Sequence, residues 1–361
     1  MRRRALLLTA LVPALLAACS QGTTTATTSS SSAAPAAAAA SGPKPAPFDK
    51  PGVKVALVRQ SGAGDYFTQW GEGAKAQAAA AGIDLQVYDA QQDNAKQATD
   101  LETAIGSGVA GIIVDHGLPA TVDPLIAKAV EKKIPVVVYD ADVKTPGVVL
   151  TSQSDASMAE SVLGELVKDT GKGAPVGYVS ATGFAPLDRR AAVWQKVVAD
   201  NGLKQLFSTG KVTASTATDN VPLVDAALRQ HPDVKAIFAP YDEIAKGVVA
   251  AVRNNGKQDS VKVYGIDISN ADIELMTQPG SPWVATAATD PAAVGAGVVR
   301  TLALTLAGQL KGTSVQFPAV PITQQFLRDQ KITNMNQLRT AEPKLDLREV
   351  STAPWLPAVT R

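Results

Sequence analysis

The sequence predicts an α/β chain built as two doubly wound lobes, each a parallel sheet flanked by helices, and two observations carry that prediction. The first is Val53 to Gly82, VKVALVRQSGAGDYFTQWGEGAKAQAAAAG. A β-branched and apolar run, a Gly-containing loop, an Ala-rich segment and a closing glycine read as strand, loop, helix and stop. The second is that the unit recurs, and a polar break at Ser152-Gln153-Ser154-Asp155 divides the recurrence into two series of the same rhythm. Repeated βα units of this length give parallel sheets with helices on both faces, joined by right-handed connections.

In the first series the expected strands are Val53 to Arg59, Asp84 to Tyr88, Gly111 to Asp115, Ile134 to Asp140 and Gly147 to Ser152. Helices are expected over Phe67 to Ala81, Asn94 to Ser107 and Thr121 to Lys133. The last has Thr121 as N-cap, Val122, Leu125, Ile126, Ala129 and Val130 at helical spacing, and lysines near its end. The second series runs helix Ala156 to Asp169, strand Pro175 to Ser180, helix Pro186 to Asn201, strand Lys204 to Val212, helix Asn220 to His231 and strand Val234 to Ala239. It continues with helix Asp242 to Asn254, strand Val261 to Asp267, helix Asn270 to Thr277 and strand Val284 to Ala288. Helix Ala292 to Ala307 begins Gly-rich, which suits close packing on a sheet, and Gln316 to Thr323 reads as one last strand. Beyond Gln324 the chain is polar and Pro-dotted, with Trp355 and Leu356 available to pin it to a lobe. Two successive halves of this kind are two Rossmann-like lobes with a cleft between them.

Ahead of Val53 stand Arg2, Arg3 and Arg4, an apolar stretch Ala5 to Leu16, and Leu16-Ala17-Ala18-Cys19. A basic start, a short apolar region and small residues before a cut site make a secretory signal, too short to span a bilayer. The only cysteine of the chain follows the small pair, an arrangement that resembles a bacterial lipobox. The resemblance implies cleavage after residue 18 and lipidation of Cys19; the plain alternative is an ordinary signal peptide. A single thiol makes no internal disulfide, and more than one acyl chain gives a durable anchor. Residues 19–51 are then the lipidated Cys and a tether, since Ser20 to Lys50 has too little apolar content to order itself. About 30 such residues reach roughly 30 Å. The expected location is extracytoplasmic, periplasmic or at the cell surface, with the chain anchored to the cell membrane.

With 361 residues, 45% hydrophobic and 19% charged, the chain can bury two cores. Its 34 Lys and Arg, less the three in the signal, leave 31 bases against 33 acids, a net charge of −2. That balance gives no reason to expect nucleic acid as a partner, and a monomer is expected.

In a doubly wound sheet the loops at the carboxyl ends of the strands face the crevice where ligands bind. Tyr66, Phe67 and Trp70 sit in or just after the first such loop. As a group they are expected to wall the cleft, although aromatics here also pack beneath the first helix. Asp140 and Asp267 end apolar strands of different lobes, Asp242 follows a strand end, and Asp115 and His116 close the third strand. Carboxylates accept hydroxyl hydrogen bonds and a guanidinium donates in a fixed fork, so acids with an arginine match a polyhydroxylated ligand. Arg59 could meet an acidic ligand, but a salt bridge to a cleft aspartate is favoured. His116 stands evenly between ligand contact and satisfied loop residue. His231 reads as a surface turn and Trp194 as core. Gly62 and Gly64 lack the G-x-G-x-x-G spacing of a dinucleotide loop, so no cofactor is expected.

Several stretches carry a resemblance. They are Gly64-Asp65-Tyr66-Phe67 with Gly71-Glu72-Gly73-Ala74, Val87-Tyr88-Asp89-Ala90-Gln91-Gln92-Asp93, Ile134-Pro135-Val136-Val137-Val138-Tyr139-Asp140, and Arg189-Arg190. Later come His231-Pro232-Asp233-Val234 running to Ala239, Asp242-Glu243-Ile244-Ala245, and Val263-Tyr264-Gly265-Ile266-Asp267. In order and spacing, over Val53 to Leu310, the chain resembles the periplasmic sugar-binding proteins of the ribose-binding type, the solute receptors of ABC importers. The resemblance implies the type I periplasmic binding protein fold, with a three-crossing hinge. It places residues 52–153 plus 289–314 in the first lobe and 154–288 plus 315–361 in the second. It implies a sugar or polyol ligand and an ABC permease as partner. By family position Asp140, Arg190 and Asp267 are polar contacts and Tyr66 and Phe67 a stacking pair, with Tyr241, Asp242, Asp115 and Thr289 completing the set. The chain departs from the family at Tyr241, where relatives have Asn, at Thr289, where a Gln is common, and at Ala63 or Gly64, where an Asn precedes the aromatic pair. Those departures leave the sugar open.

No catalytic or metal site is expected. The two histidines lie in different segments, no HExxH or C-x-x-C occurs, and the lone cysteine is in the processed region. The competing functional classes are a ligand-sensing lipoprotein for a membrane kinase or chemoreceptor and a hydrolase with a pair of aspartates. A DNA-binding regulator is disfavoured, because the export signal stands where its helix-turn-helix would be.

Overall fold

Strands that are apolar along their whole length, such as VALV and VVVY, need cover on both faces, and two six-stranded sheets supply it. The computed structural model describes residues 40–359, so the expected signal segment and Cys19 lie outside the described residues. The first sheet is ordered β11-β5-β4-β3-β1-β2, from β1 (Val53–Arg59), β2 (Ile83–Asp89), β3 (Gly111–Asp115), β4 (Val136–Tyr139), β5 (Val149–Gln153) and β11 (Ser314–Phe317). The second is ordered β12-β10-β9-β8-β6-β7, from β6 (Pro175–Val179), β7 (Lys204–Thr209), β8 (Ala236–Ala239), β9 (Lys262–Gly265), β10 (Trp283–Ala288) and β12 (Val320–Thr323). All pairings are parallel except β10 with β12.

The period-two alternation of each strand feeds two cores. Val55 and Leu57 pack on one face of the first sheet, Ala56 and Val58 on the other. In the second sheet Ile237 and Ala239 face one cluster, Ala236 and Phe238 the other. Trp194 is core as expected, stacked on Tyr178 and Phe238. The helices that cover the sheets are α1 (Asp65–Ala81), α2 (Asn94–Gly106), α3 (Pro119–Glu131), α4 (Asp155–Thr170), α5 (Ala185–Asn201), α6 (Thr216–Gln230), α7 (Asp242–Asn254), α8 (Asn270–Thr277) and α9 (Pro291–Leu306), of which α1, α4, α5, α7 and α9 matter for the site.

Several expected element boundaries move; the helix expected from Asn220, for example, begins at Thr216. The helix expected from Thr121 begins at Pro119, with Leu118 as cap, because proline in the first turn already sets a helical φ. The strand expected to reach Val212 ends at Thr209, where Gly210 turns with φ +127°. The single strand expected over Gln316 to Thr323 is two, β11 in the first sheet and β12 in the second. Pro318 between them lacks the N–H a ladder needs, while Pro321 is tolerated because β12 is an edge strand.

The last change moves a lobe boundary, since the chain leaves the first sheet after Phe317 and not at Ser314. The tail differs too. Leu327, Met335, Leu338 and Leu345 pack into the second lobe, but Leu347, Trp355 and Leu356 join the core of the first, so the chain crosses a fourth time. Buried Arg300 of α9 receives the returning tail, donating to the carbonyls of Leu347 (2.8 Å) and Val350 (3.0 Å). Phe48, expected in the tether, is 4% exposed and packs 4.9 Å from Trp355.

Candidate functional site

A single line of register runs along the carboxyl edge of the first sheet, pairing Asp89, Arg59, Asp115 and Tyr139 in neighbouring strands. The ladder therefore brings Arg59 beside Asp115, and their Nε–Oδ2 distance is 2.6 Å. Arg59 also donates to the Phe67 carbonyl (2.9 Å) and lies over the Trp70 ring. The expected salt bridge is formed, and both Nε and Nη2 of the guanidinium are engaged. Trp70, expected with the cleft aromatics, is fully buried and stacks on Tyr139; it supports the wall from behind.

The two lobes place an aspartate in equivalent positions. Asp140 follows β4 and its N–H bonds to Thr151 of β5; Asp267 follows β9 and its N–H bonds to Ala287 of β10. Both have left-handed backbones, φ +51° and +77°, as does His116 at +60°. For non-glycine residues this conformation costs about 1 kcal/mol or more, and such strain gathers where side chains must be aimed. Consecutive residues of α5 meet the two acids. Arg189 Nη2 lies 2.6 Å from Asp140 Oδ1, and Arg190 Nη1 lies 3.4 Å from Asp267 Oδ2. Asp155 holds both arginines, at 2.7 Å each.

Between the lobes lies a cavity whose empty space, counted out to its open mouth, is about 490 Å³. Tyr66, Phe67, Arg190, Tyr241 and Asp267 line it, so five of the expected side chains converge. His116 also lines it, with its ring 5.1 Å from Phe67 and its Nδ1 2.8 Å from Asp115 Oδ1. Tyr66 is tied by its hydroxyl to that of Tyr139 at 2.7 Å.

The other four expected residues stand behind the wall. Asp115 is held between Arg59 and His116. Thr289 donates to Gln153 Oε1 (2.7 Å), and Gln153 Nε2 in turn donates to Asp267 (3.2 Å). Asp242 is fully buried beside Asp272, with Lys246 Nζ 3.6 Å from its carboxylate. Asp140 is engaged by Arg189, although its Oδ2 has no hydrogen-bond partner among the described residues. Arg189 rather than Arg190 is thus its mate. What sequence reasoning missed is the amides Gln60, Gln92 and Gln153, and an apolar side formed by Phe184, Pro186, Leu187 and Val212. Gln92 and Gln153 stand in stretches singled out for other reasons; nothing in sequence spacing marks Phe184 or Val212.

The charges set the chemistry. Burial pushes Asp115 up, but Arg59 and His116 outweigh it and hold it below the usual range. Burial and then Asp155 push Asp140 up to about 7, against His116, Arg189 and Arg190. Burial also raises Asp267, with Arg190 and Gln153 opposing. Every arginine near the cavity is already neutralised by a carboxylate, so the site offers neutral donors and acceptors rather than a net charge. His116 and Asp115 form a pair, but among the described residues no hydroxyl or thiol is hydrogen-bonded to His116, and no group of three or more potential ligands is placed to hold a metal. No described helix is long and apolar enough to cross a membrane.

Comparison with known proteins gives the same fold. A profile of the periplasmic binding protein domain matches residues 55–310. The 5-methylthioribose transporter solute binding protein from Thermotoga lettingae TMO, solved in complex with 5-methylthioribose, is 38% identical, with TM-score 0.82 over 84% of this chain and 97% of its own. The ribose import binding protein of Escherichia coli (strain K12) is 28% identical over 71% of this chain and 85% of its own length. That of Bacillus subtilis (strain 168) is 26% identical over 56% of this chain, which spans 65% of that relative. The chain belongs to the periplasmic binding protein family, and within it is similar to ribose-type sugar-binding proteins of ABC transporters.

Proposed function

We propose that this protein is an extracytoplasmic solute-binding lipoprotein, anchored through Cys19, that closes its two lobes on a neutral sugar or polyol and delivers it to an ABC permease. The observation that carries the ligand class is a cavity between the lobes in which amides, aromatic rings and Arg190 with Asp267 converge, while each nearby cation has an acidic partner. Hydroxyl groups both donate and accept, so a polyol satisfies amide and carboxylate oxygens together, and ring faces cover its C–H surface. The Thermotoga lettingae relative, solved with 5-methylthioribose, supports a sugar-type ligand.

A thermal-shift screen over pentoses, hexoses, polyols, inositols and sugar acids tests the reading, because a ligand of the folded state raises its melting point. Neutral members should shift the transition and sugar acids should not. Arg190→Ala should weaken calorimetric binding of the best ligand by roughly 1.5–3 kcal/mol, the scale of a charge-assisted bond. A screen in which nothing neutral shifts the transition, or an Arg190→Ala protein of unchanged affinity, would overturn the site. Cell fractionation of Cys19→Ser tests the anchor: release from membranes is expected, and retention would count against it.

A further inference from the structure

One side of the cavity does not suit a simple polyol. Phe184 caps α5 with extended backbone, and Pro186 in the first turn fixes how the chain enters the helix. Leu187 is 4% exposed and Phe184 half-buried, yet neither belongs to any of the four apolar clusters that make up the two cores. Both line the cavity, with Pro186 and Val212 beside them. These four side chains carry no hydrogen-bonding group. The C–H face of a sugar already has Phe67 and Tyr241 for cover.

A hydroxyl directed at such a wall gives up its bonds to water and finds no side-chain partner. An alkyl or thioether group placed there instead buries apolar surface on both partners. We propose that the ligand is a sugar whose terminal hydroxyl is replaced by an apolar substituent, alkyl or thioether in class, lying against Phe184, Pro186, Leu187 and Val212. Gln60, Gln92, Gln153, Arg190 and Asp267 hold the remaining hydroxyls. The inference rests on the sugar-binding reading of the same cavity.

Calorimetry with D-ribose, 5-deoxy-D-ribose and 5-S-ethyl-5-thio-D-ribose tests it. The two substituted sugars share the five-membered ring form, so their difference reports the substituent alone. The S-ethyl sugar should bind tighter than D-ribose by roughly 10- to 200-fold, the discrimination an apolar pocket achieves, with the 5-deoxy sugar between them. Phe184→Ser should shrink that ratio. Val212→Thr, nearly the same shape with one added hydroxyl, does the same job if the first variant is unstable. D-ribose binding as tightly as the S-ethyl sugar, or a ratio unmoved in a folded Phe184→Ser or Val212→Thr protein, overturns the apolar-substituent assignment and leaves the sugar-binding reading intact. Failure of these sugars and of every member of the polyol screen to bind overturns the reading itself.

Discussion

Asp140 and Asp267 occupy matching places in the two lobes, but Asp140 faces Asp155 with one oxygen unpartnered and its carboxyl is pushed up to about 7. Its ordinary value is 3.8, so the folded chain holds this proton more tightly than the unfolded chain does. The resulting stabilisation is fully present below about pH 4 and is lost as pH rises through about 7. Asp140→Asn removes that loss. The stability of the variant relative to wild type, from urea unfolding, should therefore rise between pH 5 and pH 8, and a difference that stays flat would mean Asp140 ionises well below 7. At this scale the sequence was partly legible. Acids at strand ends are visible as soon as strands are, which found Asp140 and Asp267. That Arg189 takes Asp140, and that Gln153 stands at the wall while Thr289 supports it from behind, depends on how α5 and β5 dock, and no spacing encodes it.

Strand and helix types were legible for the same reason the cores exist, since apolar runs and helical periodicity are what the sheets and their covering helices bury. The packing of α9 was legible only in part. It lies on the first sheet as its glycines suggested, with Gly297 against the Phe317 ring of β11, but the tightest approach is to α1, where backbones nearly touch. A Cβ on Gly295 would sit 2.1 Å from the Trp70 carbonyl oxygen, and one on Gly73 would sit 1.9 Å from that of Ala292. Neither neighbour can turn aside, because both are main chain. Gly295→Ala should therefore cost roughly 1–3 kcal/mol by overpacking, read as a lower urea midpoint with little change in slope. Because Trp70 backs the aromatic wall, ligand affinity should fall with it. A variant as stable as wild type would show that the two helices can separate freely.

Across the whole molecule, two successive halves were readable from the polar break at residues 152–155, but the fourth crossing was not. The tail's helical segments, Gln324–Asp329 and Met335–Ala341, are too short to announce themselves. Its return to the first lobe depends on partners far off in sequence, Arg300 and Gln309. The lobes are also joined by ion pairs whose members lie more than 40 residues apart. Lys246 of α7 reaches Asp65 of α1 at 2.7 Å, and Arg189 of α5 reaches Asp142 at 2.6 Å. Both acids are well exposed, with side chains 48% and 64% accessible, so each pair contributes little to folding, about 0–1 kcal/mol. Their effect belongs to the open–closed balance, because opening breaks them while each cation keeps its other carboxylates, Glu243 and Asp272 for Lys246, Asp155 for Arg189. Removing the cations would strand buried acids; removing the exposed acids would not. Asp65→Asn with Asp142→Asn should thus leave the urea midpoint nearly unchanged and enlarge the radius of gyration measured by X-ray scattering without ligand. Ligand affinity should fall by about 5-fold, the equivalent of about 1 kcal/mol withdrawn from closure. Scattering and affinity both indistinguishable from wild type would show that these two exposed pairs do not hold the lobes closed.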